Sequence, residues 1–80
     1  MSEMSDLLKF IAQNLVDIPD EVEVDTAEEE GAYMLKLSVA QSDMGKVIGK
    51  QGRIAKAIRT IIKAASATED KKYLVEITEK

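Results

Sequence analysis

Apolar residues in the first part of the chain recur every three or four positions, which is the spacing of one face of a helix. The residues of this stripe are Leu7, Leu8, Ile11 and Leu15. Ser5 and Asp6 can cap the start of such a helix, because their side-chain oxygens accept hydrogen bonds from its free backbone N–H groups. We expect the helix to run to about Val16, with Pro19 closing the segment.

The next part of the chain alternates between polar and apolar residues, which is the period of a strand. Residues 21–25 predict a short first strand with its acidic side chains facing water, and residues 33–39 predict the clearest strand of the chain. A polar connection over residues 28–31 joins them, so we expect the two strands to pair as a hairpin. A third alternating run begins at Tyr73, after a polar connection over residues 68–72.

Helical spacing returns between the second and third predicted strands. Ser42 is a candidate N-cap, with Asp43 in the first turn, for a short helix over residues 44–48 that Gly49 can end. A longer helix follows over about residues 52–66, with its apolar side chains within roughly one third of its circumference. These apolar positions are Ile54, Ile58, Ile61, Ile62 and Ala65.

The patterns give the element order α-β-β-α-α-β, without a repeat, a linker or a low-complexity tract. Three short strands form a small sheet with one face to cover, and three helices are enough to cover it. We therefore predict a single domain over residues 1–80, with an α+β fold in two layers.

The composition removes most kinds of catalytic and metal site. The 80 residues include no cysteine and no histidine, so the usual nucleophile–base pairs and thiolate metal sites are absent. Carboxylate chemistry needs a cleft, for which so short a chain leaves little room. No apolar run is long enough to span a membrane, and the N-terminus carries no basic signal region. We expect a non-enzymatic protein of the cytoplasm, with no cofactor, no metal and no membrane partner.

Charge is segregated along the chain. Residues 17–30 carry eight acidic and no basic side chains, whereas residues 44–68 carry six basic and no acidic ones. The net charge of −4 argues against a nucleic-acid partner, yet a block of positive charge creates a local field that attracts anions. Both blocks can equally be solvated surface. The basic block contains a glycine turn, however, and that coincidence favours an anion site.

The glycine turn is Gly49-Lys50-Gln51-Gly52, between the two predicted helices. Glycine has no Cβ, so a ligand's backbone can approach the main chain closely there, and the N–H groups that open the second helix attract anions. The spacing excludes a P-loop, since Gly45 and Gly49 enclose three residues rather than four. A dinucleotide-binding fingerprint is absent too. By itself the turn is also compatible with an ordinary helix-turn-helix elbow whose glycines relieve backbone strain.

Together with its flanks, the turn resembles that of the KH (K homology) family, in which a valine- or isoleucine-rich helix turn leads into a Gly-x-x-Gly loop. The similar stretch covers residues 44–55, and the element order over nearly the whole chain is similar to the type II, bacterial KH arrangement. More narrowly, residues 7–16 and 53–59 resemble helices of the small bacterial single-domain KH proteins. The resemblance implies a type II KH fold, with a three-stranded mixed sheet covered on one face by three helices.

The resemblance also implies a mechanism, because a KH module clamps about four nucleotides of single-stranded RNA against its Gly-x-x-Gly loop. When the family's contacts are carried over to the matching positions, the phosphates approach the two glycines. Lys50 then attracts a phosphate by its charge, and Gln51 forms a hydrogen bond with a phosphate or a sugar. The residues expected to bind RNA are Lys46, Ile48, Gly49, Lys50, Gln51, Gly52, Arg53 and Lys56.

Other residues near this site are weaker candidates. Val47 is better explained by core packing, whereas Ile48 can either pack in the core or form part of the floor on which bases lie. In type II domains the connection before the last strand borders the groove, which adds Lys71 and Lys72 as candidate contacts. The aromatic residues fall at apolar-face positions, and we expect them in the core rather than as stacking platforms; they are Phe10, Tyr33 and Tyr73. Binding is therefore expected to be weak, tolerant of sequence and driven by backbone contacts.

Two functions remain open on the sequence. The first is a non-catalytic RNA-binding module that acts as a small bacterial RNA chaperone or post-transcriptional regulator. The second is a protein-interaction adaptor that dimerises or pairs with another KH protein and binds little RNA itself. The resemblance implies a homodimer and/or a heterodimer with a larger KH-containing protein. Of Ile61 and Ile62, we expect one in the core and one partly exposed, where a partner can reach it.

Overall fold

The computed structural model describes residues 3–69 and 71–80. The helices in these ranges are α1 (Glu3–Gln13), α2 (Met44–Ile48) and α3 (Arg53–Ala65), and the strands are β1 (Glu23–Glu29), β2 (Ala32–Val39) and β3 (Lys72–Glu79). Short 3-10 turns precede β1, α2 and α3. The predicted order α-β-β-α-α-β and the α+β class are confirmed, and α3 lies within one residue of its predicted bounds.

The sheet is mixed, with β2 in its centre and the strand order β1-β2-β3. β1 pairs antiparallel with β2, with Glu23 opposite Ser38, which confirms the predicted hairpin. β3 pairs parallel with β2, with Lys72 opposite Ala32. Parallel neighbours need a crossover connection, and α2 and α3 form it. The crossover therefore brings the end of α2 and the start of α3 next to each other.

The first strand and its turn differ from the prediction. β1 starts at Glu23 rather than at residue 21, because Pro19–Glu21 form a 3-10 turn. It continues to Glu29, since residues 28 and 29 still have ladder partners in β2. The reversal is confined to Glu30 and Gly31, whose φ angles are 48° and 82°. Two consecutive residues with positive φ give the tight turn whose twist suits a hairpin.

The core lies between the helices and one face of the sheet. Its buried apolar residues are Met4, Leu8, Ala12, Val22, Leu35, Leu37, Val39, Val47, Ala55, Ile58 and Ile62. The burial of Val47 confirms that it is a packing residue and not part of a ligand-binding floor. Ile62 is fully buried whereas Ile61 is 44% exposed, so the expected division between these two residues is also confirmed.

The first helix differs from its prediction at both ends. It already includes Glu3, so Ser5 and Asp6 lie inside it and do not cap it. The cause is Met4, which packs in the core one turn before the predicted stripe and extends the helical pattern toward the N-terminus. The helix ends at Gln13 rather than near Val16, and the residues that follow form a turn.

Phe10 is 65% exposed, and the prediction that it lies in the core was wrong. It follows Leu8 by two residues, which corresponds to about 200° around a helix. Since Leu8 and Ala12 point into the core, Phe10 points away from it. α1 therefore presents one large apolar side chain on its outer surface.

A buried carboxylate ties the start of α2 to the connection that follows α1. Asp43 is 1% exposed, and its two oxygens accept hydrogen bonds from the backbone N–H groups of Asp17 (3.1 Å) and Ile18 (3.0 Å). The prediction of Ser42 as N-cap was wrong, because Gln41–Asp43 form a 3-10 turn and Asp43 takes the N-cap position. Its carboxylate bonds to a distant part of the chain instead of capping α2, and so holds α2 in place.

The bend between α2 and α3 requires glycine at Gly49 for two reasons. Gly49 has φ 76° and ψ 173°, a region of backbone conformation that is essentially restricted to glycine. In addition, a Cβ on Gly49 would lie 2.6 Å from Cγ1 of Ile54, so this α carbon packs directly against α3. Gly52 also has a positive φ, of 73°, but a Cβ there would meet nothing within 4 Å. Gly49 is a packing position, whereas Gly52 is open on that side.

Asp43→Ala removes the acceptor of two backbone N–H groups. We expect it to lower the free energy of unfolding by about 2–3 kcal/mol, because hydrogen bonds to charged groups contribute about 1.5–3 kcal/mol. Urea denaturation followed by circular dichroism measures the change. The neighbouring, exposed Ser42 supplies the control, and Ser42→Ala is expected to change stability by less than about 0.5 kcal/mol. Equal stabilities of the two variants would contradict the role of Asp43.

Gly49→Ala is expected to destabilise the fold more than Gly52→Ala. The first substitution combines backbone strain with a clash against Ile54, for which we expect about 3 kcal/mol or more. The second meets only the strain of a left-handed residue, about 1 kcal/mol. Gly45→Ala, in α2 and free of both penalties, serves as the control. Thermal unfolding ranks the variants, and equal losses at positions 49 and 52 would refute the packing argument.

Candidate nucleic-acid interface

The predicted loop is a tight bend of the main chain, with half-buried glycines at its two ends. The N–H of Gly49 donates to the carbonyl of Gly45 at 2.9 Å and ends α2, and the N–H of Gly52 donates to the carbonyl of Gly49 at 3.2 Å and closes the turn. Lys50 and Gln51 are exposed at its tip. Gln51 has φ 58°, a left-handed conformation that disfavours a residue with a side chain by about 1–2 kcal/mol. The bend therefore holds a strained residue at its most accessible point.

The structure places most of the predicted residues around this bend. Lys50, Gln51 and Arg53 are exposed, and Lys56 is exposed one turn further along α3. Nη2 of Arg53 donates a long, weak hydrogen bond of 3.5 Å to Oε1 of Gln51. Ile48 is half-buried, so it has part of its side chain in the core and part at the surface beside the bend.

Lys46 is the one predicted cation here that already has an anionic partner. Its Nζ lies 3.2 Å from Oδ2 of Asp17, whose backbone N–H is held by the buried carboxylate described above. An anion at Lys46 therefore competes with a carboxylate of the chain itself. By contrast, Lys50, Arg53 and Lys56 form no ion pair with any described residue. These three are the cations that the bend offers to an anionic ligand.

The cations of α3 form one stripe, the α3 cation stripe, that starts at the bend and continues to the last turn of the helix. Their spacings of three, three and four residues put them on one side of a helix. The members are Arg53, Lys56, Arg59 and Lys63, and all are exposed. At about 100° per residue, the stripe lies on one flank of the buried Ile58 and Ile62, and Ile61 lies on the other flank. Arg59 and Lys63 were not among the predicted RNA-binding residues, and their helical spacing from Arg53 and Lys56 is the signal that points to them.

A groove of about 480 Å³ lies where the C-terminal half of α3 meets the start of β3. Arg59 and Lys63 line it from α3, and Lys72, Tyr73 and Leu74 line it from β3. It lies toward the opposite end of α3 from the bend, and α3 is about 20 Å long. Lys71 and Lys72, the candidate contacts from the connection that borders the groove, line it at this end of α3 and not at the bend.

The two tyrosines and Lys71 form a cluster beside this groove. The rings of Tyr33 and Tyr73 stack with centroids 5.2 Å apart, and both residues are half-buried, so they meet the core prediction only in part. Lys71 Nζ lies 4.5 Å from the centroid of the Tyr33 ring, donates to the Tyr33 hydroxyl and lies 3.6 Å from Glu28. The bond to Tyr33, followed by the charge of Glu28, raises the pKa of Lys71. Burial, and then a 3.1 Å hydrogen bond to Glu69, raises the pKa of Tyr73.

Two kinds of site do not occur in the described ranges 3–69 and 71–80. They hold no group of three or more acidic side chains arranged to bind a metal ion. They also contain no helix with the length and apolar character needed to cross a membrane.

Comparison with protein families gives a match over residues 5–77 to the family described as "KhpA/KhpB, KH domain". Similar proteins named RNA-binding protein KhpA occur in several bacteria. The protein of Clostridium acetobutylicum is 61% identical over 74 residues, which are 92% of this chain and 99% of that protein. The protein of Listeria monocytogenes is 49% identical over 76 residues, which are 95% of this chain and all of that protein. The protein of Treponema pallidum is 47% identical over 72 residues, 90% of each chain.

Solved structures share the fold. Aquifex aeolicus Era bound to GDP·AlF4⁻ superposes with a TM-score of 0.64, and Era in complex with MgGDPNP and nucleotides 1506–1542 of 16S ribosomal RNA with a TM-score of 0.59. Each match covers 95% of this chain and 29% of the Era chain, at 16% identity. At that identity the likeness concerns the fold alone.

The family match and the three relatives agree over nearly the whole length of the chain. They confirm the resemblance to type II KH domains and, more narrowly, to the small bacterial single-domain proteins among them. The chain therefore belongs to the KhpA/KhpB family of KH-domain proteins.

Proposed function

We propose that this protein binds single-stranded RNA at the bend over residues 49–52, without catalysing a reaction, and acts in the cytoplasm as a small bacterial RNA chaperone or post-transcriptional regulator. The observation that carries the proposal is the bend itself: Lys50 and Gln51 are exposed, the chain is open on the side of Gly52, and the cations that follow form no ion pair with any described residue. The name RNA-binding protein, which the relatives at 61% and 49% identity carry, supports it.

Each part of the bend has a role in this proposal. The sugar-phosphate backbone approaches the main chain at Gly52, where no side chain blocks it. Lys50 and Arg53 neutralise phosphates from the two ends of the turn, and Gln51 donates a hydrogen bond from its amide. The helix dipole of α3 adds partial positive charge at its N-terminal end. Because these contacts involve the phosphates and sugars that every nucleotide has, binding tolerates many sequences.

The apolar surface beside the bend, on which a base can lie, is small. Ile48 is half-buried, and no aromatic side chain lies among the residues that form the bend. Base stacking on aromatic rings contributes about 1–3 kcal/mol per base in proteins that use it, and the bend lacks that contribution. The proposed binding is therefore weak and governed by charge.

Replacing Lys50 and Gln51 together by Asp tests the proposal. We expect the variant to keep its circular dichroism spectrum, since both side chains are exposed, and to lose measurable binding to unstructured RNA in fluorescence anisotropy. For the wild-type protein, three to five phosphate contacts at about 0.7 each predict a slope of log K against log salt of about −2 to −3.5.

A matched control is a double variant at another Lys and Gln pair, on α1. Lys9→Asp/Gln13→Asp on α1 changes the same residue types and the same net charge away from the bend. This control is expected to keep most of the affinity. Equal affinities of the Lys50/Gln51 variant and the wild-type protein, or binding that does not respond to salt, would contradict the proposal.

We further propose that the protein self-associates as a homodimer and/or pairs with a larger KH-containing protein. Ile61 is 44% exposed on α3, on the flank opposite the α3 cation stripe, so a partner there leaves the stripe accessible. Two clamps in one assembly raise the overall affinity for one RNA strand through effective concentration. Self-association therefore offsets the weak binding of a single bend.

Ile61→Asp is expected to shift the sedimentation coefficient toward that of a monomer, because a carboxylate in an apolar contact loses its hydration. Thr60→Asp, an exposed position on the other flank of α3, controls for the added charge and is expected to leave association unchanged. A wild-type protein that stays monomeric at high concentration would contradict the homodimer. A stable assembly without RNA binding would instead support the adaptor function.

A further inference from the structure

We propose that the face of the sheet opposite the helices is a docking surface for a short cationic segment of a partner protein, in which two lysine or arginine side chains flank one large apolar side chain. This inference goes beyond RNA binding and does not depend on it. The surface, which we call the outer sheet face, holds a depression of about 610 Å³. Met34 and Leu74 line the depression, together with the carboxylates of Glu29 and Glu30.

The alternation of side chains along the strands determines what the outer sheet face presents. Leu35 and Val75 pack with the helices in the core, so the residues on either side of them along each strand point the other way. The register places Ala27 beside Met34 and Met34 beside Leu74, which gives an apolar row across all three strands. Leu74 is 39% exposed. A large apolar side chain in the middle of this face is therefore in contact with water.

Acidic side chains surround the apolar row. Asp25 and Glu29 lie two residues to either side of Ala27 on β1, so they point to the same face. The acidic residues of the face and its rim that form no ion pair with any described residue are Asp25, Glu29, Glu30 and Glu76, and the cations without such a pair are Lys36 and Lys72. Glu23 also lies on this face and is paired with Lys80 at 3.1 Å. Unpaired carboxylates outnumber unpaired ammonium groups, so the face attracts cations.

The spacing of these carboxylates fits an extended segment. Asp25 and Glu29 are four residues apart on one strand, which corresponds to about 13 Å at 3.3 Å per residue. In an extended peptide the side chains at positions i and i+4 have the same separation, and the side chain at i+2 lies midway between them on the same side. A segment with the pattern cation–x–apolar–x–cation therefore places a cation at each carboxylate and its apolar side chain on the apolar row.

Charge disfavours the other occupants that the outer sheet face can meet. Its carboxylates repel the phosphates of RNA, whereas the α3 cation stripe lies on the helical side of the sheet. A second copy that presented the same face would bring like charges together, which opposes binding. A cationic segment is attracted by the same carboxylates and leaves the bend over residues 49–52 accessible.

The test titrates the full chain with a synthetic peptide, Ser-Lys-Ser-Leu-Ser-Lys-Ser with blocked termini, and follows the protein by NMR. We expect the methyl resonances of Met34 and Leu74 to shift and the amide resonances of Gly52 and Arg53 to stay in place. The matched peptide with glutamate in place of both lysines is expected to shift none of them. Equal shifts with the two peptides, or shifts that leave Leu74 unmoved at the highest peptide concentration, would overturn the proposal.

Two variants separate the apolar contribution from the charge. Leu74→Thr keeps a residue that favours strands and is expected to weaken binding of the cationic peptide about fivefold, because apolar contact area is lost. Asp25→Asn/Glu29→Gln is expected to weaken it about threefold at low salt, since exposed ion pairs contribute little each. Glu3→Gln/Asp20→Asn removes two exposed carboxylates elsewhere and is expected to stay within about twofold. Unchanged affinity of both test variants, with wild-type circular dichroism spectra, would also overturn the proposal.

The same Leu74 methyl resonances identify the occupant. They are expected to stay in place when unstructured RNA is added, and when the protein concentration is raised without peptide. Movement with RNA would make RNA the occupant, and movement with protein concentration would make a second copy the occupant; either result would overturn the cationic partner. Failure of the wild-type protein to bind RNA would overturn the proposed function alone and leave the outer sheet face to be decided by the peptides.

Discussion

The close contact between the α carbon of Gly49 and the side chain of Ile54 is the constraint on which the site depends. It allows α3 to start directly after α2, with Gly49 packed against α3 and Gly52 open on the side where a Cβ would lie. Val47 and Ile58 anchor the two helices in the core on either side of the bend. Asp43 holds the start of α2 by two hydrogen bonds from a segment more than 20 residues away. The bend is thus rigid at its ends and accessible in its middle, which is the arrangement that a backbone clamp requires.

The distribution of ion pairs explains how a chain with net charge −4 presents a positive surface. Among the described residues, the paired cations are Lys46, Lys71 and Lys80, and their partners are Asp17, Glu28, Glu21 and Glu23. All four partners belong to the acidic segment over residues 17–30. The cations of α3 have no acidic neighbour within their own helix, and none of them forms an ion pair with a residue that the structure describes. Exposed ion pairs contribute little to stability. The consequence of this charge segregation is that the positive charge left on the surface lies along α3.

Local patterns in the sequence were enough to predict the element order, the hairpin, α2 and the bounds of α3. These features depend on spacing over a few residues, as with Ile58 and Ile62 on the buried face of α3. The bend over residues 49–52 could be predicted because a specific motif carries it. The start of α1 and the exposure of Phe10 were predicted incorrectly, because they depend on which side chains a particular core accepts. The role of Asp43 could not be predicted, since its carboxylate bonds to a segment far away in the sequence.

Backbone amide NMR during titration with single-stranded RNA tests the central claim most directly, because it reports on the main chain itself. The account predicts that the largest shift changes fall on the amides of residues 50–56, and that those of Gly52 and Arg53 are among them. Changes confined to β1, or to the face of the sheet that carries Met34, would contradict it, since the strand would then bind far from the bend.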